Sequence, residues 1–406
     1  MSADLEHLEL VPERHEPRML TAVDPDSTQD GDEEFRERAT GWPPAAWRML
    51  PTNARRLRPS STMLFIVMLF LTWILLQPIY ALIEQAQIPE AEWAYQATGI
   101  RQAQALGLSG AGVSVCIVDS GVQLQHPDLD HLVIRFSDFS GDSSEPVDYA
   151  SDGHGTMIVG LLAADGVLKG SAPGVDLLVA SALGAGDIGS EEAVTDAIRW
   201  CTANRADIIS LSLGGEQSIE MPFENSAVEA VEDALRNGVF VVAAAGNDGG
   251  VHDDGRVAVP ANVPAVIAVG AVDVGGELWE MSSRGDDLAG AGDNPRTSPD
   301  QKPEIIAPGV NVVSTWLDGG YSSSTGTSDA TVFVTGALAL VLEAHPELKP
   351  QWDNTDRTQC INLVKQALMD SAIPYAAQVS PHDDRYGYGN LNAIGWIEAL
   401  NGSTSC

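Results

Sequence analysis

Five short apolar runs, rich in β-branched residues, punctuate the chain after Gly110: Val113–Val118, Leu177–Ala182, Ile208–Leu213, Val239–Ala245 and Val266–Val272. Runs of this length between polar turns read as strands buried on both faces. Between them the apolar spacing becomes helical. Met157, Ile158, Leu161 and Leu162 fall on one helical face after His154. Ser190 is placed to cap a helix carrying Val194, Ile198 and Cys201 on one stripe. A further helix is predicted from Asn225 to Asn237, with Gly238 as its left-handed C-terminal cap. A long apolar helix follows Ser328, to about Glu343. This alternation predicts an α/β domain with a mostly parallel sheet and helices on both faces. The chain shows no internal repeat.

The first part of the chain has a different pattern. Residues 1–61 are polar, rich in Pro, Asp, Glu and Arg, and without sustained periodicity, which reads as a disordered tail. Residues 62–84 hold an uncharged run from Met63 to Ile83, long enough to cross a bilayer as a helix. Arg55, Arg56 and Arg58 precede it and Glu84 follows. The positive-inside rule then puts the tail in the cytoplasm and residues 85–406 outside. A cleaved secretory signal is the rival reading. It is opposed by the long region before the apolar run, where a signal peptide has only a short basic one.

Composition sharpens this picture. The chain has 406 residues and a formal net charge of −35, and its only lysines are Lys169, Lys302, Lys349 and Lys365. Such a surface argues against nucleic acid, which needs cations to displace counterions. It suits a protein kept soluble in strong salt, where self-repulsion is screened. A halophilic or marine source is therefore expected, with a merely acidic extracellular surface as the alternative. Of the four cysteines, Cys116 lies within an apolar run and reads as a buried free thiol. Cys360 and Cys406 are placed to pair outside the cell. The cysteine spacing fits no metal site.

Three candidate chemical residues stand in an informative order. Asp119 closes the first apolar run in Val118-Asp119-Ser120-Gly121, His154 opens a helix in Gly153-His154-Gly155-Thr156, and Ser328 lies in Gly326-Thr327-Ser328-Asp329. Asp, His, then Ser is the chain order of one class of serine hydrolase. A serine hydroxyl needs a base to take its proton, and the base needs a carboxylate to fix its tautomer. His154 is the expected base and Asp119 the expected orienter, at the carboxyl end of a strand, where open parallel sheets build their sites. Among the eight histidines only His154 has small neighbours and starts a helix. His126, His131, His252, His345 and His382 sit in polar or turn contexts and are expected to be solvated. An oxyanion donor is also needed. Asn247, after Ala245-Gly246, is the candidate, with the Ser328 backbone N–H as the second.

With these blocks in order, the chain resembles the subtilisin-like serine proteases, from about Gly99 to Leu400. His126-Pro127-Asp128-Leu129 after Asp119, the His154-Gly155-Thr156 block, and Ile306-Ala307-Pro308-Gly309 are similar to family blocks. Ser210–Gly215 resembles one wall of the primary specificity pocket, and Ala244–Asn247 the opposite wall with the oxyanion asparagine. The resemblance implies a three-layer α/β/α fold, acyl-enzyme proteolysis, and an extended polypeptide substrate. That substrate is expected to contact Leu183, Gly184, Ser212, Leu213, Gly214, Ala245 and Gly246. Ala258 falls near the pocket floor by rough alignment, and Asp248 near its rim.

The departures from the family are as informative. The residue after the nucleophile, commonly Met in the family, is Asp329. It would raise the basicity of His154 or oppose the oxyanion, unless it faces away in an ion pair. The usual Pro four positions after the serine is Val332. The loop Asp165–Gly170 is short where many relatives bind calcium, so no cofactor is expected. The short stretch after the span leaves no room for the usual cleaved prodomain. Two other readings are open to the same residues. Asp329 motivates a non-catalytic member of the fold that binds peptides or partners. Gly184-Ala185-Gly186-Asp187-Ile188-Gly189, with Asp207 further on, matches a dinucleotide fingerprint. That unit begins after at least one strand and both Asp119 and His154, so no dinucleotide is expected.

Overall fold

The computed structural model describes residues 63, 65–77, 89–186, 189–214, 224–285, 296–353 and 355–402. Two compact units divide at Tyr80 and Ala81. In the first, α1 (Phe65–Gln77) is an apolar helix whose side chains from Phe65 to Leu76 are exposed. It lies within the expected span and is shorter than a full crossing; the residues that would complete the span at its outer end are outside those described.

The second unit is built on seven parallel strands in the order β2-β3-β1-β4-β5-β6-β7. They are β1 (Ser114–Asp119), β2 (Arg135–Asp138), β3 (Asp176–Ser181), β4 (Ile208–Leu211), β5 (Phe240–Ala244), β6 (Ile267–Val272) and β7 (Ile305–Pro308). The five expected strands are all present, each within two residues of its expected ends. β2 and β7 were not expected. β2 is an exposed-to-half-buried edge without an apolar run, and β7 ends in proline. An antiparallel pair, β8 (Val310–Thr315) and β9 (Tyr321–Thr325), also escaped the pattern because Ser and Thr dominate it.

The helices are α2 (Pro89–Ala97), α3 (Ile100–Ala105), α4 (His154–Ala163), α5 (Glu191–Ala203), α6 (Glu224–Arg236), α7 (Thr327–Ala344), α8 (Thr358–Ser371) and α9 (Ala393–Ala399). α4 and α7 pack together, α7 running across β4 to β7, while α5 packs on β1 and β3 and α6 on β5. The result is a three-layer α/β/α sandwich. Ser190 caps α5 by accepting the Ala193 N–H at 3.1 Å, and Gly238 after α6 has φ 84°. Both follow the expected capping chemistry. α7 is the one described helix long and apolar enough to cross a membrane, and 83% of its apolar window is buried. It is the central core helix, enclosed on all sides, so its apolarity answers to packing.

The cysteine expectation needs correction. Cys116, on β1, is bonded to Cys201, on α5, with both fully buried and the Cα atoms 5.8 Å apart. Burial was legible, but the partner lies 85 residues away and is brought near only by packing of α5 on β1. Cys360 is also disulfide-bonded, and Cys406, its expected partner, lies outside the described residues. The histidine expectation also fails in part. His126 is fully buried, its Nε2 donating to Gly320 O at 2.8 Å and its Nδ1 accepting the Asp128 N–H. His345 is 7% exposed and donates to Ile397 O. Hydrogen-bonded ring nitrogens make burial of an imidazole tolerable.

Three of the four lysines are held against interior carboxylates. Lys365 pairs with Glu304 at 2.7 Å and Asp300 at 2.8 Å, and Lys302 with Glu304 at 2.8 Å. Glu304, Lys302 and Lys365 are all buried. Burial pushes the Lys302 ammonium down to about 7 against the pull of Glu304. Lys349 pairs with the buried Asp207 at 2.9 Å. Asp207 also accepts the Ser114 N–H, at the start of β1 and the opposite end of the sheet from the glycine loop after β3.

The disulfide closes a long loop, so its loss should favour the unfolded chain. Replacing Cys116 and Cys201 together by Ala is expected to cost about 2–4 kcal/mol. Denaturant midpoints for the full-length protein, with and without the change, measure this; coincident midpoints would show that the bond carries no stability.

Candidate active site

β1 lies between β3 and β4, so the chain turns to opposite sides of it, and the crevice at its carboxyl end is the switch point of the sheet. Asp119 ends β1 there, fully buried. The following turn approaches α4 backbone to backbone. A Cβ on Gly155 would lie 2.1 Å from Gly121 O, and one on Gly121 would lie 1.8 Å from Val147 O. Only glycine permits that approach. It brings His154, the first residue of α4, against Asp119, with Nδ1 2.7 Å from Oδ1. The His154 side chain is 23% exposed, so one edge faces the cleft.

A second set of bonds fixes this pair. The Ser120 N–H donates to Asp119 Oδ1 at 2.7 Å, and Ser120 Oγ lies 3.2 Å from the same oxygen. Ser120 Oγ accepts the Gly155 N–H at 3.0 Å. Asp148 receives the Ser120 hydroxyl on Oδ1 and the Thr156 N–H and hydroxyl on Oδ2, at 2.8, 2.7 and 2.6 Å. The carboxylate thus ties the residue after Asp119 to the residue two beyond His154. Sequence reasoning passed over Asp148, whose surroundings look like an ordinary acidic loop; no local signal marks it.

Ser328 is the second residue of α7 and is 9% exposed. Its hydroxyl donates to Ser212 O at 3.1 Å, and Ser212 Oγ donates to Ser328 O at 3.3 Å. Asn247, exposed after β5, has its Oδ1 occupied by the Thr327 N–H at 3.1 Å and the Thr327 hydroxyl at 2.8 Å. The amide is thereby oriented with Nδ2 away from α7's first N–H. Thr327 was not singled out from the sequence, yet it sets which way Asn247 points.

The expected substrate residues follow the carboxyl ends of β3, β4 and β5. Leu183 and Gly184 follow β3, and the Leu183 N–H donates to Asp119 O at 3.1 Å. Ser212, Leu213 and Gly214 follow β4, while Ala245 and Gly246 follow β5. The two walls come close at Ala258. Its Cβ lies 2.7 Å from where a Gly214 Cβ would sit and 3.2 Å from where a Gly246 Cβ would sit. Asp248 accepts a short hydrogen bond from Ser283 Oγ behind Gly246. Asp187 and Ile188 of the glycine loop, and Gly215, lie outside the described residues.

Asp329 is 2% exposed and accepts a short hydrogen bond from Ser324 Oγ on Oδ1. The described residues give it no Arg or Lys partner, so the ion-paired alternative fails. Burial pushes its carboxyl up to about 6, opposed by the Ser324 hydroxyl and by His154. Asp128 lies against the short Asp165–Gly170 loop. Its Oδ1 accepts the Val167 N–H at 2.9 Å, and its Oδ2 the Leu168 N–H and Tyr321 hydroxyl at 2.8 and 2.7 Å. Three protein donors occupy the carboxylate, so these residues do not fit a bound calcium.

Comparison with known proteins identifies the family. The subtilase family profile matches residues 110–389. Subtilisin DY of Bacillus licheniformis is 38% identical over 250 residues, covering 60% of this chain and 82% of that protein. The major intracellular serine protease of Bacillus subtilis is 37% identical over 245 residues, covering 58% of this chain and 70% of that protein. Among solved structures, the prenylagaramide maturation protease PagA superposes with a TM-score of 0.58 at 27% identity, over 75% of this chain and 99% of that one. The chain belongs to the subtilase family, and its activity is that of a serine-type endopeptidase.

Proposed function

We propose that Asp119, His154 and Ser328 act as a catalytic triad, with Asn247 as oxyanion donor, in an endopeptidase displayed outside a membrane. The observation that carries this reading is the 2.7 Å contact between His154 Nδ1 and Asp119 Oδ1 at the switch point of the sheet. With Nδ1 donating to the carboxylate, Nε2 is the basic nitrogen. The Ser328 hydroxyl turns from Ser212 O to His154 and gives up its proton as Oγ attacks the scissile carbonyl carbon. The carbonyl electrons move to oxygen, where Asn247 Nδ2 and the Ser328 N–H receive the charge at the positive end of α7. The imidazolium protonates the leaving amine. A water, deprotonated by the same ring, then frees the acyl group from Ser328. An extended polypeptide lies between Leu183–Gly184 on one side and Ser212–Gly214 on the other, with its side chain against Ala245 and Gly246.

Residues 1–61 form the cytoplasmic tail, 62–84 the span and 85–406 the outer peptidase domain. The apolar, exposed α1, the three arginines before it and the buried Cys116–Cys201 bond support this arrangement. Such a bond persists in an oxidising compartment. Anchoring limits reach, so the substrates are polypeptides near the membrane surface. The net charge of −35 suits high salt.

A fluorophosphonate probe should label the full-length protein in detergent, more strongly in molar salt than in dilute buffer, and should label neither Ser328→Ala nor His154→Ala. Labelling that survives either substitution would remove the triad, and equal labelling and stability at both salts would remove the halophilic reading. Asn247→Ala should lower kcat by roughly 10²–10³ with little change in KM; a purely KM effect would make Asn247 a substrate contact instead. In sealed right-side-out cells, added protease should digest the domain beyond residue 85 and spare an epitope placed in the tail. Protection of the peptidase domain would reverse the topology.

A further inference from the structure

Three atoms surround one small space beside Ser328. A Cβ on Gly326 would lie 3.6 Å from Asn247 Nδ2, 3.6 Å from Ser328 N and 3.8 Å from Asp329 Oδ2. The first two are the donors assigned to the oxyanion. The third belongs to a carboxyl whose other oxygen is already taken by the Ser324 hydroxyl. Ionised, this oxygen would place a negative charge beside the position where the reaction generates another. Protonated, it is a donor.

We propose that Asp329 forms a third side of the oxyanion site, and that the enzyme turns over with this carboxyl protonated, Oδ2–H donating to the oxyanion alongside Asn247 and the Ser328 amide. The inference rests on the endopeptidase reading of the Ser328 site. Oγ still attacks and His154 still takes its proton; Asp329 keeps its own proton and donates only a hydrogen bond.

The surroundings favour the neutral acid. Asp329 is 2% exposed, with no lysine or arginine partner among the described residues. The titratable groups facing it are His154, Asp119 and Tyr95. Asp119 adds a like charge, and burial keeps the Tyr95 phenol neutral. Only His154 supplies a positive charge, and it must be neutral to act as base. The working state of the base therefore removes the one counter-charge that would hold Asp329 ionised. A carboxylic acid kept neutral in an apolar site is a known way to supply an oxyanion donor. Burial raises its ionisation to about pH 6, where the supply of protons would limit the reaction on the alkaline side.

The test is the pH dependence of kcat/KM for peptide hydrolysis by the full-length protein in detergent, at constant high salt. Wild type should fall roughly tenfold per pH unit above the ionisation of Asp329. Asp329→Asn, neutral at every pH and still a donor, should lack that fall and exceed wild type by about tenfold or more at pH 8. Asp329→Ala, neutral but without a donor, should also lack the fall and lose roughly 10²-fold against Asp329→Asn throughout. Ser324→Ala leaves Asp329 in place but removes the bond that favours its charged form, so the alkaline fall should move to higher pH. This last variant keeps the proposal testable if changes at Asp329 prevent folding. A wild-type rate that keeps rising through pH 8, or a Ser324→Ala profile superimposable on wild type, overturns the proposal and leaves the triad standing. Absence of turnover at every pH in folded wild type would overturn the triad and this proposal together.

Discussion

The site depends on a contact that contains no functional atom. Gly155 meets the Gly121 backbone so closely that any side chain on it would drive the β1 turn and α4 apart, and a side chain on Gly121 would strike the Val147 carbonyl. The approach lets an aspartate at a strand end reach a histidine at a helix start, although the two are 35 residues apart. Ser120, Asp148 and Thr156 then close hydrogen bonds around the contact, so that the pair is fixed from both sides. The precision of the pair comes from packed backbone and not from flexible side chains.

Charge is distributed with similar economy. The surface carries the acidic excess, while Lys302, Lys349 and Lys365 are placed against interior carboxylates. A buried carboxylate without such a partner would be costly, and removing either partner would leave the other unpaired. The scarcity of lysine is thus not uniform. The residue is retained where a sheet end or the β6–β7 region needs a cation. Asp329 breaks this pattern, being buried beside the nucleophile with a hydroxyl for company in place of a cation. The same burial that would be a liability elsewhere makes this carboxyl a sensitive part of the site.

The two helices that carry His154 and Ser328 lean on the same core. α7 fills the space between α4 and the sheet, so the serine at its start and the histidine at the start of α4 are presented by two helices that pack on one another. Both helices begin after a glycine and point their first turns into the crevice. The positive end of α7 is where the developing charge would sit.

The sequence by itself determined the layered fold, because apolar runs of strand length alternating with amphipathic helices leave few other ways to bury them. It also carried the order Asp119, His154, Ser328 and made Asn247 a candidate, because small residues and turn chemistry mark those positions locally. Tertiary structure alone decided what no local signal carries. The bond between Cys116 and Cys201 joins a strand to a helix far along the chain. His126 and His345 lie in polar stretches yet are buried by elements that close over them. Asp148 and Thr327 look ordinary in the chain and become supports of His154 and Asn247 only once β1, α4, β5 and α7 converge. Asp329 was visible as an oddity, but its burial against the Ser324 hydroxyl, with no lysine or arginine partner among the described residues, shows only once its neighbours are in place. Periodicity records which face of an element is buried; it does not record which distant residue meets it there, and that is a property of the packed whole.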